Sequence, residues 1–296
     1  MSTDYLEISH LRVVFDGFTA VDDVDLTVLK GDLRFLIGPN GAGKTTLVDA
    51  VSGLVPSTGH IEFAGNGLSG RKVHQIARLG VGRTFQTATV FEKLTVLQNL
   101  DIAAGAGRSS WSLLRRRGNV PAKVSEALDT IGLADAADIP AGVLAHGQKQ
   151  WLEIGMLLVQ DAQLLMLDEP VAGMSADERE ATGGLLRRIA EERTVLIVEH
   201  DMDFMRSFAK SVTVLAAGKV LSEGTVTHVQ ADPKVQQVYL GTAGYAHAEG
   251  DAMVELIAAQ AEQVAQEVEK VAHDLDAQQD EPSSDVQPSE DGRVAH

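Results

Sequence analysis

The chain has 296 residues, no cysteine and a formal net charge of −17. The missing thiols exclude a disulfide framework and a thiolate metal site, and the acidity disfavours nucleic acid as a partner, because such binding rests on phosphate neutralisation by Lys and Arg. Residues 242–296 hold 13 acidic and 2 basic side chains, so −11 of the charge sits there and −6 on everything before. Met1-Ser2-Thr3-Asp4-Tyr5 lacks the basic and apolar regions of a secretory signal, and no uncharged apolar run reaches membrane-spanning length. The expectation is a cytoplasmic protein.

In chain order, Tyr5 to Phe15 and Val21 to Val28 alternate with period two and read as strands. Leu33-Arg34-Phe35-Leu36-Ile37 reads as a buried strand, followed by a helix from Lys44 and a strand from His60 to Ala64. Helical periodicity at Leu94 to Ile102, Val124 to Ile131 and Gln148 to Leu158 predicts a helical subdomain over about 87–162. Its tip carries Leu113-Leu114-Arg115-Arg116-Arg117, a solvated basic turn or a contact with a membrane or partner. Gln163 to Leu167 and Thr194 to Val198 are short apolar runs flanking a helical stretch from Ser175 to Glu192, the pattern of parallel strands with crossover helices. The fold class is therefore α/β, with a mostly parallel sheet, an antiparallel β subdomain and the helical subdomain. The domain should end near residue 241, leaving 242–296 as an acidic extension. Met253, Ile257, Ala261, Val264, Val268, Val271 and Leu275 form an apolar stripe on a helix expected at about 251–277, either weakly formed or docking on a partner. The polar end beyond it reads as disordered.

Residues 38–45 are Gly-Pro-Asn-Gly-Ala-Gly-Lys-Thr, placed directly after the buried strand. A Gly-rich loop between strand and helix turns successive N–H groups inward around phosphates. Lys44 reaches the β- and γ-phosphates, the Thr45 hydroxyl holds Mg²⁺, and the helix dipole adds to the anion site. This commits the chain to a nucleoside triphosphate. Gly38, Pro39, Asn40, Gly41, Ala42, Gly43, Lys44, Thr45 and Thr46 are its expected ligands.

Strands of an open α/β sheet deliver their ligand-facing residues at their C-terminal ends, which places Asp168, Glu169, Glu199 and His200 on the nucleotide side. Asp168 is suited to hold Mg²⁺ opposite Thr45, and Glu169 to accept the proton of the attacking water. His200 is positioned to touch the γ-phosphate and orient that water. Gln86, where the core hands over to the helical subdomain, offers an amide to Mg²⁺ or water and is a candidate reporter of nucleotide state.

The order of phosphate loop, Gln86, Leu144-Ala145-His146-Gly147-Gln148, Leu167-Asp168-Glu169-Pro170 and His200 resembles an ABC-transporter ATP-binding subunit across residues 4 to 241. Thr84 to Glu92, His146 to Met156 and Glu169 to Met174 look most like the urea-transporter subunit (UrtD type), with the branched-chain amino-acid transporter subunit (LivG type) as the near relative. The resemblance implies an ATPase needing Mg²⁺, with Phe15 stacked on adenine. It implies a head-to-tail dimer with a second ATP-binding subunit, a heterodimer or alternatively a homodimer. In that dimer Leu144 to Gln148 close over the partner's ATP. It further implies membrane permease subunits that dock near Gln86 and the helical subdomain, an extracytoplasmic substrate-binding protein, and attachment to the inner face of the membrane through the permease. Urea is the expected cargo, branched-chain amino acids the alternative, and a soluble ABC ATPase acting on nucleic acid the more distant one. Two departures stand out. Ala145 and His146 replace the usual serine and glycine of the signature, removing a hydroxyl donor, and Ser175 stands where the family often has aspartate.

Overall fold

The computed structural model describes residues 4–85, 89–105 and 120–239, all within one compact unit, Met1–Leu240. Gln86, the basic tip at 113–117 and the whole extension from 242, with its expected helix, lie outside the described residues.

The period-two segments pair as read. Strand β1 (Asp4–Phe15) runs antiparallel to β2 (Phe18–Leu29) and to β4 (Thr58–Phe63), and the short β5 (Asn66–Gly67) completes a four-stranded sheet of order β2-β1-β4-β5. A second sheet has the order β10-β9-β3-β8-β7-β6. Its members are β3 (Leu33–Ile37), β6 (Val81–Arg83), β7 (Leu164–Asp168), β8 (Thr194–Val198), β9 (Ser211–Ala216) and β10 (Lys219–Gly224). Only β10 is antiparallel to its neighbour.

All five residues of β3, β7 and β8 are buried, as the uninterrupted apolar runs require of strands covered on both faces. Alternate side chains serve opposite cores. Leu36, Leu164, Met166, Leu196 and Val198 join a cluster with α1 (Lys44–Val51), α2 (Val73–Arg78) and the four-stranded sheet. Phe35, Ile37, Leu165, Leu167, Val195 and Ile197 face α6 (Ala176–Ala190), α7 (Met202–Phe208) and α8 (Val226–Ala231). Each fully buried side chain of this kind contributes about 1.5 to 3 kcal/mol.

A third cluster lies within the helices α3 (Val96–Gly105), α4 (Ala122–Thr130) and α5 (His146–Val159), built on Val96, Leu100, Val124, Leu128 and Leu152. Asn99 is buried in it and donates and accepts against the backbone of Phe91, at 3.1 and 2.8 Å, closing the turn that leads into α3. Helix α6 starts on a side-chain cap. The Ser175 hydroxyl accepts the Glu178 N–H at 3.3 Å, and the Glu178 carboxylate takes the Ser175 N–H at 2.9 Å. Local chain chemistry thus explains the serine that the family comparison marked as a departure.

Candidate nucleotide site

The phosphate loop links β3 to α1, and two of its glycines have no substitute. Gly43 caps α1 in the left-handed region at φ 97°, where an added Cβ would meet Ala20 O at 2.4 Å. Gly38 is held against β9, its missing Cβ pointing at Leu215 O. The Ala217-Gly218 turn seals the loop's outer side, with Gly218 N–H donating to Ala42 O at 3.0 Å. Lys44 is buried and donates from Nζ to Gly38 O and Pro39 O at 2.8 and 3.0 Å. Burial pushes its ammonium pKa down, while the charges of Glu169 and Asp168 pull it back up. Asn40, Gly41 and Thr45 are exposed at the mouth of the loop, and Pro39 and Thr46 are half-buried.

Asp168 ends β7 with 2% exposure. Its N–H donates to Thr84 Oγ1 and its Oδ2 accepts Arg83 Nη2, both at 3.3 Å. Arg83 also grips the half-buried Asp49, one helical turn from Thr45 on α1, so an Asp49–Arg83–Asp168 chain fixes Asp168 beside the helix that carries Thr45. Burial pushes the Asp168 pKa up and Arg83 opposes it. Asp168 Oδ1 is buried with no hydrogen-bond partner.

Glu169 turns away from the sheet at φ 50°, a region disfavoured for a side chain with a Cβ, and its N–H stays on Val198 O at 2.9 Å. This brings its Oε1 to 3.3 Å from His200 Nδ1, with the His200 side chain 61% exposed. The Glu199 side chain does not face the nucleotide as the sequence predicted. Glu199 is 1% exposed and its carboxylate is spent on main-chain N–H groups.

Lys44, Asp168, Glu169 and His200 therefore meet at one sheet edge. Phe15 stands apart, at the end of β1, 41% exposed and paired with Phe18 across the hairpin. Leu144 to Gln148 open α5. Ala145 offers no capping hydroxyl, so only the reciprocal half of a capping box is made, Gln148 Oε1 accepting the Ala145 N–H at 3.0 Å. The His146 ring nitrogen Nε2 lies 3.1 Å from Ala172 O, bringing the signature segment onto the turn that follows Glu169 in the same chain. Arg83 and Asp49 escaped the sequence reading because their partners lie far along the chain, and Glu199 was placed at the right strand end but facing the wrong way. For Glu199 the one available signal was a charged residue directly after five apolar ones.

The fold and the site fit a known pattern. The ABC transporter family model matches residues 21–172, half of the chain. The chain belongs to the ABC transporter family. This ABC transporter ATPase is 35% identical over 255 residues to the high-affinity branched-chain amino acid transport ATP-binding protein BraF of Pseudomonas aeruginosa, covering 82% of this chain and 100% of that one. The same figures hold for LivG of Escherichia coli K12, which carries the same description. A second family model, the branched-chain amino acid ATP-binding cassette transporter, matches residues 219–245. Among solved structures, the ADP conformation of an ATP-binding cassette of an ABC transporter is 29% identical, with a TM-score of 0.71, covering 81% of this chain and 100% of that chain. A component of the ABC transporter complex cbiONQ from Clostridium perfringens is 25% identical with a TM-score of 0.69, covering 83% of this chain and 99% of that one. BraF, LivG and the second family model name branched-chain amino acids where the motif resemblance pointed first to urea.

Helix α5 of this ABC transporter ATPase buries a further carboxylate. Glu153 is 6% exposed and accepts the Thr89 N–H at 3.4 Å. Burial pushes its pKa from 4.5 up to about 7, against the pull of the Thr89 and Phe85 N–H groups. Between those two values the folded chain holds a proton that the unfolded chain has lost, so stability falls as pH rises through this window and levels off above about 7. Glu153→Gln, which mimics the protonated form, should flatten that fall by on the order of 3 kcal/mol. Urea melts of both proteins between pH 5 and 8 check this, and parallel curves would contradict it.

Proposed function

We propose that this chain is the ATP-hydrolysing engine of an importer for branched-chain amino acids. The observation that carries the hydrolytic half is the convergence of Lys44, Asp168, Glu169 and His200 at one edge of the parallel sheet. Lys44, freed from the loop carbonyls, binds the terminal phosphates together with the loop N–H groups. Glu169 takes the proton of the attacking water, and His200, 3.3 Å away, holds that carboxylate and water in register.

Mg²⁺ suits the residues present. The unpartnered Asp168 Oδ1 and the exposed Thr45 hydroxyl are hard oxygen donors. Among the described residues no group of three or more acidic or histidine side chains builds a metal cage, which fits an ion that arrives with the phosphates. When bound, the ion would neutralise charge developing on those phosphates.

Among the described residues no helix is long and apolar enough to cross a membrane, and the matched relatives are ATP-binding subunits. We therefore assign the chain to work with membrane permease subunits, as one half of an ATP-closed dimer whose second half supplies its own Leu144-to-Gln148 equivalent. Two observations support the amino-acid cargo over urea: the 219–245 match and the descriptions of the 35%-identical relatives. The motif segments that suggested urea all serve nucleotide chemistry, which every cargo shares. The test is uptake by cells carrying Lys44→Ala in the chromosomal copy. Labelled leucine, isoleucine or valine uptake should fall to background while urea uptake persists. Lost urea uptake with intact leucine uptake would reverse the assignment.

A further inference from the structure

Glu199 follows β8, and its backbone N–H is bound to Leu36 O of β3 at 3.2 Å, one residue before the end of the strand that delivers the phosphate loop. From that anchor its carboxylate reaches two separate turns. Oε2 accepts the N–H groups of His200 and Asp201 at 3.0 and 3.2 Å, and Oε1 accepts the N–H of Val171, two residues beyond Glu169, at 3.4 Å. One buried residue thus joins, through its carboxylate, the loop of the proposed base and that of the proposed water-orienting histidine, and through its main chain the phosphate-loop strand.

We infer that Glu199 is a positioning residue for hydrolysis, a main-chain clamp that sets His200 against Glu169 and both against the bound phosphate; the inference rests on the proposed roles of Glu169 and His200. The donor set explains why a carboxylate is used here. Three N–H groups converge on two oxygens, and an acceptor on both sides of the side chain is required to hold two turns at once. Burial pushes the Glu199 pKa up, and the Asp201, His200 and Val171 N–H groups, with the charge of His200, counteract it. The residues flanking the clamp are themselves tied down. Asp201 caps α7 through the Asp203 and Phe204 N–H groups and accepts Arg179 Nη1 of α6 at 2.7 Å, so the His200 turn is fixed on its far side and its near side depends on Glu199.

A glutamine at this position keeps the shape but turns an NH₂ donor toward one of the two turns, releasing either Val171 or the His200–Asp201 pair. Glu199→Gln should lower kcat about tenfold or more while KM for Mg-ATP and equilibrium ATP binding change less than twofold. The decisive measurement is a double-mutant cycle on the full-length chain assembled with its partner subunits. If the clamp acts through His200, adding His200→Ala to Glu199→Gln costs much less than His200→Ala costs alone. Independent, multiplicative losses, or a Gln variant with more than half the wild-type kcat, overturn the proposal. Glu199→Asp, which keeps the charge but is one methylene short, enters the same cycle if the Gln protein does not fold, and the same criteria apply. Should Glu169→Gln and His200→Ala themselves leave kcat unchanged, the assignment of the hydrolytic residues fails; should they lower it while the Glu199 variants do not, only the clamp fails.

Discussion

Glu169→Gln lowers the rate of phosphate release from ATP by about 10² to 10⁴-fold, the contribution expected of a positioned general base, while ATP affinity stays within about twofold. Glutamine is isosteric with glutamate, so the turn at φ 50° and its N–H bond to Val198 O survive the exchange. What disappears is the oxygen that faces His200 Nδ1 at 3.3 Å and takes up a proton. Nucleotide binding rests on Lys44 and the phosphate loop, which touch neither atom that changes. Equilibrium binding of labelled ATP and steady-state phosphate release, measured on one preparation, separate the two effects. A hydrolysis rate within twofold of wild type would remove Glu169 from the chemistry.

Gly38→Ala produces the second large effect, through sterics alone. A methyl group there would stand 2.1 Å from Leu215 O, with the backbone at φ 151°. Neither neighbour yields cheaply, since Leu215 is a buried residue of β9 and the Gly38 carbonyl holds Lys44 Nζ. Overpacking and backbone strain of this kind together cost about 2 to 5 kcal/mol, and relief by moving the loop displaces Lys44, so ATP affinity should drop by about 100-fold or more. Gly41→Ala is the control. Its φ is 77°, but nothing lies within 4 Å of the added carbon, so it carries only the left-handed penalty of about 1 to 2 kcal/mol. Equal melting temperatures for the two variants would show that the close approach to Leu215 is not a constraint.

The features legible in the sequence share one property, that their meaning is local. Gly38, Gly41 and Gly43 announce a backbone that must bend between a strand and a helix, and the apolar runs ending at Ile37, Leu167 and Val198 announce strands with two buried faces. The ends of β7 and β8 could be placed beside the phosphate loop because parallel topology leaves few alternatives. Strand β6 escaped because three residues, Val81–Arg83, carry no period. Its Arg83 escaped because the carboxylates that define its role lie 34 and 85 positions away. Glu199 was assigned to the right edge and the wrong task, since position on a strand end does not say whether a carboxylate turns outward to ligand or inward to backbone. Ser175 was legible in principle: serine followed three residues later by Glu178 marks a helix start, a local signal that comparison with the family pattern obscured. Cargo was the least legible, because every segment read in detail handles nucleotide.

The helices α3–α5 share a cluster of their own, while Ile154 and Leu157 of α5 belong to the core beneath the sheet, which Trp151 and Leu158 also border. Helix α5 thus packs with α3 and α4 on one side and with the strand that ends at Asp168 on the other, so a displacement of the outer helices is carried into the sheet rather than absorbed between them.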